Sequence, residues 1–177
     1  MTDIATRDEH GVQTGPDTIE IGRLLPGPIE RVWAYLTESD LRRRWLAAGE
    51  MGLKVGMPFE FTWRNDELTD PPGTRPEGFG VEHKATMTMV EVDPPHRLTF
   101  TWPETGEVSF ELEAQGDEVL FTVTHKRAPN RRTMVGVSAG WHMHLDVLAG
   151  LLRDRPITHF WDRMMPLRQY YDAQLPA

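Results

Sequence analysis

Gly136-Val137-Ser138-Ala139-Gly140 matches G-x-S-x-G, the pattern that surrounds a hydrolase serine. That chemistry needs the serine on a strained strand-to-helix turn, with backbone N–H groups forming an oxyanion hole. Here the pattern lies inside a run of helical period, and no glycine-rich oxyanion loop precedes it. We read its small residues as letting a helix approach a sheet closely. Histidines are the second candidate. His142 and His144 are two residues apart, about 200° around a helix, and cannot chelate one ion from it. His83, His125 and His144 form a subtler set, the first two with inward parity near strand ends and the third at the edge of an apolar helix stripe. Three imidazoles could hold zinc with an open position, offer polar handles to a ligand carbonyl or hydroxyl, or be structural. We count them as candidate ligand contacts and assign no metal site. Glu60, Glu82, Glu107, Glu111 and Glu113 have solvent parity, so no carboxylate pair suits acid–base work and no catalytic residue is assigned. No G-x-G-x-x-G and no Walker loop occurs, so no cofactor is expected.

These residues need elements to position them. Thr18–Leu25 reads as a first strand, stopped by Pro26-Gly27-Pro28. Ile29, Val32, Trp33 and Leu36 make one stripe of a short helix, with Pro28 suited to its first turn. Ser39 or Asp40 can cap a second, with Leu41, Trp45 and Leu46 inward. Arg42, Arg43 and Arg44 read as its solvated face, Glu38 and Arg42 having i,i+4 spacing. Strict alternation follows. Phe59, Phe61 and Trp63 face one way, as do Val81, His83, Ala85, Met87 and Met89. Leu98, Phe100 and Trp102 follow, then Val108, Phe110 and Leu112, then Val119, Phe121 and Val123. Such strands on short turns make an antiparallel meander with one apolar face. Its cover is Asn130–Asp154, where Met134, Val137, Trp141, Leu145, Leu148 and Leu152 share a stripe. Pro156 ends that helix, and Ile157–Gln174 adds a helical tail in which Pro166 is a kink or break. The stretch Asp66 to Gly78 reads as a long loop, a lid or simply mobile. The fold class is α+β, with a curved antiparallel sheet of about six or seven strands wrapped around the long helix.

Composition sets the outer limits. A chain of 177 residues and 20.3 kDa buries one core. The net charge of −8 argues against a nucleic-acid partner. A mean hydropathy of −0.47, with no apolar run near the roughly 20 residues of a spanning helix, argues against membrane insertion. Residues 1–17 read as a loose tail without signal-peptide character, so a cytoplasmic location is expected. Residues 18–155 form the domain, and residues 156–177 form a helical extension packing on it.

The chain resembles the START-like (SRPBCC) superfamily, and within it the homologues of the heat-shock-protein-90 ATPase activator. The resemblance rests on Arg23, Pro28 and Arg31-Val32-Trp33, then Thr37 to Trp45-Leu46, then Gly56 and Phe59. It continues through Met89 to Trp102, carrying DPPHRLTFTW, and Gly140-Trp141 with Leu145, Leu148, Leu151 and Leu152. It implies a helix-grip fold with an elongated cavity between sheet and long helix, used by relatives for lipids, sterols, polyketides or other apolar molecules. The expected function is therefore binding of a small apolar or amphipathic molecule. Candidate contacts are Phe61, Trp63, Met87, Phe100 and Trp102, then Phe110, Phe121 and Val123. From the helix come Val137, Trp141, Leu145 and Leu148, with His83, His125 and His144 for polarity. Two alternatives remain. One is a co-chaperone-like interaction domain, favoured by an exposed patch at Phe160, Trp161 and Tyr170 that would also serve a homodimer. The other is a polyketide-cyclase-like enzyme, which needs a polar group of shifted pKa deep in the cavity.

Overall fold

The alternating segments join into one curved antiparallel sheet, and the longest apolar stripe closes over it. The computed structural model describes residues 9–104 and 106–176. Chain order is β1 (Val12–Gly15), β2 (Thr18–Pro26), α1 (Ile29–Thr37), α2 (Ser39–Arg42), β3 (Pro58–Trp63) and β4 (His83–Asp93). Then come β5 (Arg97–Thr101), β6 (Glu107–Gln115), β7 (Glu118–Lys126), α3 (Arg131–Leu152) and α4 (Phe160–Gln174). The seven strands of this sheet lie in the order β1-β2-β7-β6-β5-β4-β3. This is the helix-grip arrangement, α+β as the alternation requires. No helix among the described residues is long and apolar enough to cross a membrane.

Parity sets the core. Phe59, Phe61, Met87, Met89, Phe100, Phe110 and Phe121 are all buried, as their alternation demands. The β4–β5 register shifts between Met89 and Glu91, and Val90 between them is exposed, on the face opposite buried Met89. Asn130 starts α3, its side chain accepting from the Thr133 N–H at 2.8 Å.

Three expectations need correction. The segment 1–17 is not uniformly loose. Residues 1–8 lie outside the described ones, but Val12–Gly15 pairs with β2, because the Pro16-Asp17 turn folds it back onto a free sheet edge. Gly11 and Glu9 are also held: the Gly11 N–H donates to the Tyr171 hydroxyl at 2.6 Å, and Arg23 donates to the Glu9 carbonyl. Of the kink or break expected at Pro166, the break does not occur: α4 runs through it. The first turn of α4, ahead of that proline, is anchored by three hydrogen bonds. The Phe160 N–H reaches the Thr69 hydroxyl at 3.0 Å and the Trp161 indole reaches Asp66 at 2.7 Å. Asp162 accepts from the Thr74 N–H at 3.1 Å. The loop around 66–78 is thus strapped to α4 at several points.

Arg42 is the third correction. Arg43 and Arg44 are exposed, but Arg42 is fully buried. Its guanidinium donates to the carbonyls of Leu36 and Thr37 at 3.2 Å, Ala47 at 3.1 Å, and Gly49. It also lies over the Phe61 ring at 4.7 Å. Those carbonyls end α1 and the turn after α2, where no backbone N–H can reach them. Burial lowers the guanidinium pKa to about 10, with Glu50 opposing, so the charge persists at neutral pH.

A second buried network ties α3 to β2, α4 and the N-terminal strand. The Tyr171 hydroxyl accepts from the Gly11 N–H and lies within hydrogen-bond distance of His142 Nδ1, 2.8 Å away. His142 Nε2 then faces Asp146 at 3.4 Å, and Arg23 donates to the same carboxylate at 2.9 Å. Burial pushes the Asp146 pKa up, but the His142 hydrogen bond and the Arg23 charge hold it below the usual range.

Arg42→Met should keep the volume but strand several carbonyl oxygens. We expect a loss of about 3–5 kcal/mol in urea unfolding. Arg42→Lys should recover little of it, since one ammonium cannot span four carbonyls.

Candidate functional site

A cavity of about 160 Å³ lies beneath α3 at one end of the sheet. Trp63 comes from β3, Trp102 from the end of β5, and Leu46 from the turn after α2. Helix α3 contributes Gly136, Val137, Gly140, Trp141 and His144. Gly136, Gly140 and His144 are spaced by four residues and so form one ridge of the helix. A Cβ built on either glycine would meet nothing within 4 Å. The glycines therefore do not permit a close helix–sheet approach, as the sequence suggested. They withhold two side chains from a space nothing else fills. Ser138 between them is buried, its hydroxyl donating to the Met134 carbonyl at 2.6 Å inside the helix. That position is no strained turn, so G-x-S-x-G here carries no nucleophile.

The aromatic walls are in contact with one another. Trp63 and Trp102 ring centroids are 5.7 Å apart, and Trp102 and Trp141 5.4 Å. The Trp141 indole N–H donates to His125 Nδ1 at 3.0 Å. On the other side His144 Nδ1 meets the Trp45 carbonyl at 2.8 Å. Both histidines are buried. Burial lowers each pKa to about 4, with the Trp45 carbonyl opposing it for His144.

The candidate contacts divide into three groups. Trp63, Trp102, Val137, Trp141 and His144 line the cavity. Phe61, Met87, Phe100, Phe110, Phe121, Val123, Leu145 and Leu148 are buried in the packed middle of the core. There the Trp45 ring sits 6.3 Å from Phe110 and 6.1 Å from Phe121, filling the space an elongated cavity would need. His125 backs Trp141 rather than the cavity, and His83 is exposed, stacked outside Trp63 at 5.5 Å. His83 has the inward parity expected of it, but β4 there extends past the cover. The three histidines accordingly do not converge on one point. Leu46, Gly136 and Gly140 were missed; a glycine has no side chain to register in an apolar pattern.

A larger hollow of about 340 Å³ lies between Arg131, Arg132, Val135, Arg168, Gln169 and Asp172. One of its three arginines is engaged already: Arg131 binds Asp172 at 2.7 Å and the Leu175 carbonyl at 3.0 Å. The apolar cavity is the better candidate.

The sequence profile described as activator of Hsp90 ATPase homolog 1-like protein matches residues 26–153. The chain belongs to this family. Its matched span runs from the end of β2 through α3, so every wall of the cavity falls inside it, while α4 lies beyond. Among solved structures, a Bordetella parapertussis protein is similar over 100% of this chain and 97% of its own, at 37% identity and a TM-score of 0.80. CalU16 of Micromonospora echinospora is similar over 88% of this chain and 86% of its own, at 23% identity and a TM-score of 0.67. At that identity CalU16 speaks for the fold alone. No match was found among curated proteins.

The buried histidines predict an acid limit on this family member. The unfolded chain protonates both near pH 6.5, the folded chain only near pH 4. Their stabilisation is whole above pH 6.5 and drains away as pH falls through that window. Each histidine accounts for about 3 kcal/mol over it. In NMR titrations the His125 and His144 rings should stay neutral at pH 5.5, and urea midpoints should fall steeply between pH 6.5 and 4.5.

Proposed function

We propose that this protein binds a small apolar or amphipathic molecule in the cavity beneath α3. The carrying observation is the empty space at Gly136 and Gly140. Alanine at either position would raise helix propensity by about 1 kcal/mol and fill volume. Glycine at both gives up that stability and keeps a cavity lined mainly by tryptophan, leucine and valine, the composition expected of an apolar ligand site.

Other observations favour binding over the alternatives. The cavity does hold a polar group of shifted pKa, His144, as a cyclase-like enzyme would require. An imidazole of pKa about 4 is, however, a weak base at neutral pH and suits hydrogen bonding better than proton abstraction. Docking through the tail loses its patch, since Phe160 and Trp161 are buried and Tyr170 is half-buried.

Toluene is a suitable probe. It should shift the indole NMR signals of Trp63, Trp102 and Trp141 and, near 100 times Kd, raise the melting temperature by about 7 °C. Gly140→Leu should fold, fill the cavity and abolish both responses. Gly136→Ala should gain about 0.5–1 kcal/mol of stability. Shifts that persist unchanged in Gly140→Leu would overturn the reading.

A further inference from the structure

His144 gives the cavity a defined polarity. The Trp45 carbonyl 2.8 Å from Nδ1 only accepts, so Nδ1 carries the ring proton. In the neutral imidazole Nε2 is then a bare lone pair. Burial keeps the ring neutral at physiological pH. No donor among the described residues reaches Nε2, and that nitrogen is not sealed away inside the protein. His144 lines the cavity, so an occupant that displaces water from Nε2 must supply the donor itself. Trp141 cannot supply one, its indole N–H being spent on His125.

Size and shape narrow the occupant. A space of 160 Å³ is close to the roughly 150 Å³ of an engineered cavity that takes up one benzene ring. Three tryptophans on its walls favour a flat, polarisable guest over a branched aliphatic one. Without the two glycine side chains a ring can lie along α3 between Val137 and His144.

We infer that the cavity selects a single-ring aromatic alcohol of the phenol class, its ring against Trp63, Trp102 and Trp141 and its hydroxyl donating to His144 Nε2. This rests on the cavity-binding reading above and adds the donor requirement. A phenol satisfies both the apolar walls and the acceptor. Toluene or anisole, of similar size but without a donor, leaves the nitrogen unpaired.

Calorimetry or NMR titration at pH 7 with phenol, anisole and toluene tests it. Phenol should bind about tenfold tighter than either of the others. His144→Phe keeps a flat ring without its nitrogens and should reduce that preference below about threefold while toluene affinity holds. His144→Asn is the second variant: its amide can still donate to the Trp45 carbonyl while Nε2 is gone, and the preference should fall there too. Thermal melts report whether each variant folds. Equal binding of phenol and toluene to the native protein overturns the donor requirement and leaves the cavity reading standing. So does a phenol preference that survives in a folded variant. No binding of any of the three overturns both.

Discussion

The Trp45 carbonyl and the His144 ring, 2.8 Å apart, tie the short helices to the long one. Much of the site depends on that contact. The Trp45 side chain is fully buried against Phe110 and Phe121, so the backbone carrying the carbonyl is anchored from the core. Its indole N–H donates to the Tyr35 carbonyl at 2.8 Å, binding the same residue to α1. Arg42 holds the turn that presents it, through carbonyls on both sides. A buried guanidinium is costly to desolvate, and its worth here is in fixing one loop geometry. The chain of dependence runs from Arg42 to the turn, from the turn to Trp45, and from Trp45 to the tautomer of His144.

The glycine ridge has the opposite character. Two glycines inside a 22-residue helix weaken it by about 2 kcal/mol relative to alanine, and the unfilled space beside them forgoes dispersion contacts as well. Ala139, Leu145 and Leu148 of α3 are fully buried. Packing and vacancy therefore sit on one helix, a few residues apart. The glycines break the apolar stripe where Trp63 and Trp102 of the sheet come closest to the solvent-facing end. A vacancy confined to one end leaves most of the core to supply stability.

Much of the architecture was legible because burial imposes period two on a half-covered sheet and a stripe on its covering helix. Phe59, Phe61, Phe110 and Phe121 announce their own orientation. Elements whose partners are remote were not legible. Val12–Gly15 alternates only between half-buried and exposed, so its pattern carries no apolar signal, and an available sheet edge makes it a strand. Arg42 looks like its neighbours Arg43 and Arg44, and nothing local reveals the carbonyls waiting for it. The site was half legible for a related reason. Tryptophan parity located Trp63, Trp102 and Trp141, but parity does not tell a filled interior from a hollow one. That difference lies in Trp45, which fills the middle, and in Gly136 and Gly140, which leave the end open. His83 shows the remaining limit, since correct phase says nothing about where the cover stops.

The segment after α3 belongs to the same argument. Phe160, at the start of α4, places its ring 5.3 Å from that of His144. Phe160 is held there by its N–H bond to Thr69 and by Trp161, whose ring is 5.1 Å away and whose indole is bound to Asp66. The imidazole is thus supported at its side by Phe160 and at Nδ1 by the Trp45 carbonyl. Two of its degrees of freedom, tilt and flip, are restrained by groups that never enter the cavity. Removing either support would free the ring to turn and lose the fixed acceptor, even with every cavity wall intact. Neither the strapped loop nor α4 contributes to the cavity lining, yet through Phe160 they restrain the orientation of the imidazole that does.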